Sequence, residues 1–187
     1  MNVDNRYRTL LESLLEPKTY DHGGDKTICY LTFGTEEIIN VKRKLNEVWI
    51  ALAKNKGLKV TILSLHEVLK NFFKEDEYRI EAGLDAVEYE EETIEVYHSL
   101  GENLKNQEVI EEAILEAQKK VDPKKGVLFI TDVESIHPFT RFGPVEQKIY
   151  NKINVPVVVF YPGDITGTAL KFLGFYPEDG NYRSKHF

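Results

Sequence analysis

Apolar residues recur along the chain in two rhythms, helical and strand-like, that alternate from one end to the other. Tyr7, Leu10, Leu11, Leu14 and Leu15 share one helical face, and Pro17 closes that run. "TICYLTF" (27–33) is continuous and apolar, as a strand covered on both sides requires, and Gly34 ends it. The next stretch places Ile38, Val41, Leu45, Val48, Trp49 and Leu52 on one helical face, with Gly57 as the stop. "LKVTILSL" (58–65) predicts a second strand. "SLHE" is a capping box, Ser64 as N-cap and Glu67 three residues on, and it opens a short helix through Phe73.

The pattern weakens over 75–103, which predicts one or two exposed, loosely packed helices. It recovers over 106–120, with Val109, Ile110, Ala113, Ile114 and Ala117 inward. "GVLFIT" (126–131) predicts a third strand, "ESIHPF" a loop, "PVEQKIYNKI" a helix and "VPVVVF" (155–160) a fourth strand. Pro162 and Gly163 then predict a sharp end to that strand, because proline cannot donate to a sheet and glycine accepts unusual backbone angles.

Strands of continuous apolar residues alternating with helices predict a single α/β domain over 1–187. The expected fold is Rossmann-like and three-layered, with a mainly parallel sheet. It resembles a nucleotide-hydrolase core. An N-terminal helix falls within 1–20, and 75–122 is an acidic helical crossover. Right-handed crossovers bring the loops after the strands, at Gly34, Ser64, Asp132 and Pro162, to one sheet edge. A site is expected there.

Charge sharpens the picture. The net charge is −7, but 75–122 carries 16 acidic against 4 basic residues, and the rest carries 15 against 20. The acidic middle opposes nucleic-acid binding and predicts a solvated helical face. No apolar stretch approaches 18 residues and no signal peptide is evident, so no membrane role is expected, and the cytoplasm is. Cys29 is the single cysteine and lies in an apolar run, which excludes an internal disulfide.

The chemistry worth weighing is "GVLFITDVES" (126–135). An apolar strand that ends in carboxylates is how many nucleotide hydrolases hold magnesium. A phosphate loop would read GxxxxGK[ST], its backbone N–H groups and lysine cradling phosphate. The turn here is "TFGTEEIIN", with one glycine, no lysine, and Glu36 and Glu37 where an anion would sit. No GxGxxG is present either. Asp132 and Glu134 are therefore expected to brace a loop, with no metal and no cofactor. The histidines at 22, 66, 98, 137 and 186 lack ligand spacing, Cys29 reads as a buried inert thiol, and no GxSxG occurs. No catalytic set emerges. A nucleotide or phosphorylated-ligand binder, or a degenerate hydrolase, stays open as the alternative, using Thr32, Thr35, Thr131 and Asp132.

The last third is the most distinctive stretch. "HPFTR" follows the third strand, "VPVVVFYPG" leads into "DITGTALKFLG", and "NYRSKHF" closes the chain. With the "LTFGTEEI" turn, these elements resemble the BrxB family of bacterial BREX phage-defence systems over about 27–187. The resemblance implies an accessory protein without catalytic activity that works through other BREX components, PglZ first among them. The residues expected to meet a partner are Arg141, Tyr161, Asp164, Tyr182 and Arg183. Arginine and aromatic side chains make common interface anchors. Arg141 has a second reading, an internal ion pair with Asp132.

Overall fold

The computed structural model describes residues 2–16, 28–74, 90–166, 169–177 and 184–187. Helix α1 (Val3–Leu15) starts where Asn2 caps it, its side chain accepting from the Asn5 N–H at 3.0 Å. Strand β1 (Ile28–Phe33) is buried at every position, and a 3-10 turn, Thr35–Glu37, leads into α2 (38–55). Strand β2 (Lys59–Ser64) and α3 (Leu65–Phe73) follow, then α4 (Glu90–Asn106) and α5 (Val109–Gln118). Strand β3 (Gly126–Thr131), a 3-10 turn at Val133–Ile136 and α6 (Phe142–Ile149) precede β4 (Val157–Thr166), β5 (Ala169–Phe172) and β6 (Lys185–His186).

The strands form one six-stranded sheet in the order β2-β3-β4-β1-β6, all parallel, with β5 pairing antiparallel to the far end of β4. Helices cover both faces. This is a Rossmann-like, three-layer α/β fold with a mostly parallel sheet, as the apolar pattern predicts.

Alternation along each strand divides the core in two. Leu31, Phe129 and Phe160 face α1 and α2, whereas Tyr30, Ile130 and Val159 face α3, α5 and α6. On the first face Tyr7 stacks on Trp49 at 4.5 Å and its hydroxyl donates to the Trp49 carbonyl at 2.7 Å. Trp49 in turn donates to Asp4, which also pairs with Lys44. Each large side chain buried this way contributes on the order of 2 kcal/mol.

Three expectations need correction. Val48 is half exposed and Ala53 is buried, because α2 contains a π-helical turn at Leu45–Trp49. The extra residue in that turn rotates the apolar face past Val48. Strand β2 is not covered on both sides; it is an edge strand with Ile62 exposed. Pro162 and Gly163 do not end β4. Proline removes a donor but not an acceptor, and the Pro162 carbonyl accepts from the Leu173 N–H at 2.9 Å. Gly163 opposes Phe172 so closely that a Cβ there would lie 2.3 Å from the Lys171 carbonyl oxygen. The glycine is required by this close approach.

The C-terminal residues close the sheet beside β1. The Phe187 N–H donates to the Tyr30 carbonyl, and the Thr32 N–H and hydroxyl both donate to the Phe187 carbonyl. Beneath them Glu146 is buried, accepting from the Tyr30 hydroxyl and the Ser184 hydroxyl, each at 2.5 Å. Burial holds its carboxyl above the usual range, partly offset by those two donors.

Candidate functional site

Two places combine polar chemistry with shape. The first is the sheet edge that the crossovers build. Strand β3 ends in Asp132, whose backbone is left-handed (φ 57°, ψ 37°) and turns its carboxylate back over the sheet. Oδ2 accepts from the Ser64 hydroxyl at 2.6 Å and from the Thr131 hydroxyl at 2.9 Å. Ser64 also accepts from the Glu67 N–H, so the predicted cap is present. From α2, the Lys42 ammonium lies 2.8 Å from Asp132 Oδ1 and 2.5 Å from Glu134 Oε1.

Burial would raise the Asp132 carboxyl, but its bonds to Lys42, Ser64 and Thr131 hold it below the usual range. Burial likewise works against the Lys42 charge, and the two carboxylates outweigh it. The cavity beside this cluster measures about 10 Å³, room for about one water molecule. The turn where phosphates would sit is closed as well: the Glu37 N–H donates to the Gly34 carbonyl, and Glu37 faces Arg6 at 3.8 Å.

The second place is a groove of about 430 Å³ between α4, α5 and the "HPFTR" element. Leu104, Ile110, Phe139 and Val145 supply apolar walls, and Arg141, Lys148 and Tyr176 supply polar ones. Lys148 bridges Glu108 and the buried Glu111 at 3.1 and 3.2 Å. The His137 Nδ1 lies 2.6 Å from the Tyr176 hydroxyl, and the Arg141 guanidinium stands 5.9 Å from the Tyr176 ring centre. Burial lowers the His137 pKa, which favours the neutral ring. Phe175 stacks on Tyr176 yet stays 62% exposed.

The expected partner residues scatter. Arg141 lines the groove, and Asp164 is exposed on the β4–β5 hairpin. Tyr161 is corrected: it is 1% exposed and packs against Tyr30 and Phe172, so it is core. A strand continuing through Pro162 keeps it inside the sheet. Tyr182 and Arg183 lie outside the described residues. The cation beside Asp132 is Lys42, not Arg141.

The alternative set is drawn inward. Thr32 and Thr131 are buried and donate to neighbours within the chain, and only Thr35 is exposed. Lys42 and Tyr176 were missed, since one lysine in "VKRK" looks like the next and Tyr176 follows a strand that went unpredicted. Among the described residues no group of three or more His, Cys, Asp or Glu side chains is arranged to hold a metal ion, and no helix is long and apolar enough to cross a membrane.

The family model of the BREX protein BrxB matches residues 61–187, from β2 to the last residue. The chain belongs to the BrxB family. The match takes in Asp132, the groove and β4–β6, but starts later than the residue 27 expected from the resemblance, leaving α1, β1 and Lys42 outside it. No curated protein and no solved structure shows a match to the chain.

Proposed function

We propose that this BrxB-family component of a BREX system is a non-enzymatic adaptor that works by protein–protein interaction, with PglZ as its first partner. The observation that carries the reading is the sheet edge. Lys42 lies against both carboxylates that a nucleotide hydrolase would offer to magnesium, Ser64 and Thr131 both donate to Asp132 Oδ2, and the first turn presents glutamates. Phosphate would meet negative charge there, and a metal would have to displace an ammonium ion. In contrast, the groove beside "HPFTR" has volume and apolar walls.

Two measurements test the reading. ATP or GTP with magnesium should neither raise the melting temperature nor be hydrolysed. Magnesium-dependent turnover abolished by Asp132→Ala would overturn the non-enzymatic role. Calorimetric titration against PglZ from the same gene cluster should show saturable binding, and its absence would remove PglZ as the direct partner.

A further inference from the structure

Among the described residues, helix α4 carries an apolar stripe that is seated at its C-terminal end and exposed towards its N-terminal end. Ile94, Tyr97, Gly101 and Leu104 follow the 3-4-3 spacing of a single helical face. At the C-terminal end the stripe is seated. Leu104 is 1% exposed, and a Cβ on Gly101 would lie 2.8 Å from the Phe139 carbonyl oxygen, so the helix rests directly on the "HPFTR" backbone. At the other end Ile94 is 64% exposed and Tyr97 36%, with the Tyr97 ring 6.1 Å from Phe139. Phe139 also lines the groove, so the stripe and the groove share an apolar wall.

The charge around that stripe selects its occupant. Within Glu90–Asn106 there are five glutamates and one lysine, and Lys105 is already paired with Glu102 at 3.1 Å. A second copy would bring the same glutamates face to face, which costs affinity. We infer that the exposed half of α4 docks a basic amphipathic segment of another protein, one with apolar residues at helical spacing flanked by Lys or Arg. Apolar residues of that segment cover Ile94 and Tyr97, and its cations meet Glu95 and the net negative charge of the helix. The inference rests on the interaction reading above and names its surface and the chemistry of its partner.

The test uses the full-length chain, tagged and expressed with the complete defence gene cluster. A benzoylphenylalanine at position 94 is photo-crosslinked, and the attached peptide is sequenced. The adduct is expected on another component, in a Lys/Arg-rich segment with apolar residues at helical spacing. The double variant Ile94→Ser/Tyr97→Ser, checked for folding by circular dichroism, should weaken capture at least about tenfold, because exposed apolar anchors dominate such interfaces. Glu95→Lys should weaken it too, and added salt should do the same. An adduct to a second copy or to an acidic segment overturns the inference, as does undiminished capture by the folded double variant. Capture by wild type without any adduct at 94 removes α4 and leaves the interaction role standing. No capture by wild type overturns the interaction role itself.

Discussion

Around Asp132, hydroxyl, carboxylate and ammonium groups are turned on one another and leave about 10 Å³ of space, whereas beside Phe139 about 430 Å³ lies open between apolar walls. Both places sit at the ends of strands or helices, and both contain charged groups. They differ in how much open apolar surface surrounds those groups. A polar cluster that satisfies itself stabilises a turn, and a ligand would have to compete with every bond in it. In the groove Lys148 and Tyr176 are paired as well, but the apolar walls beside them stay open and are stabilised by being covered. Residue types alone draw the eye to the first place, and geometry redirects it to the second.

The comparison breaks most visibly if side chains assigned to the core behave like surface ones. Tyr161→Ala should cost about 3 kcal/mol in urea unfolding, as large-to-small core changes do, while Asp164→Ala, three residues on and exposed, should stay within about 0.5 kcal/mol. Equal effects would show that β4 does not run through Pro162.

The next effect belongs to the closed cluster. Lys42→Met leaves Asp132 and Glu134 without their cation and should cost about 1–2 kcal/mol near neutral pH. The Asp132 carboxyl is held low in the folded chain, so its contribution is present above the unfolded carboxylate value of about 3.9 and is lost as pH falls through the lower folded value. The gap between wild type and Lys42→Met should therefore narrow in acid. A gap that widens below about pH 4 would contradict the pairing.

Glu146 should behave in the opposite sense. Its folded value is raised, chiefly by burial, so wild-type stability should fall as pH rises from about 4.3, the unfolded value, through the folded one. Glu146→Gln should remove that slope. A variant that loses stability relative to wild type with rising pH would show that the ionised form is the favoured one.

The smallest change in stability is expected at Phe175, which stacks on the groove residue Tyr176. Phe175→Ser removes a largely exposed ring and should alter unfolding by less than about 0.5 kcal/mol. Its effect should appear instead in partner binding.

Much of the fold was legible because continuous apolar runs such as "GVLFIT" and "VPVVVF" have few ways to be buried except in a covered parallel sheet. The N-cap at Ser64 was legible for a similar reason, since a short-range rule decided it. What escaped depended on one residue of register or on distant partners. Nothing in 45–49 announces a π-helical turn, so Val48 was placed inward. Proline's effect on donors was legible at Pro162, but the free acceptor that lets β4 continue was not. At the site, the absent phosphate loop was readable, yet Lys42 stands 90 residues before Asp132 and only the fold brings them together.

The most direct test is hydrogen exchange of the chain with and without PglZ from the same gene cluster. New protection is predicted over 94–105 and 137–145, the helix and element that border the groove, with 32–37 and 131–135 unchanged. Protection confined to the residues around Asp132, with the groove unaltered, would contradict the account.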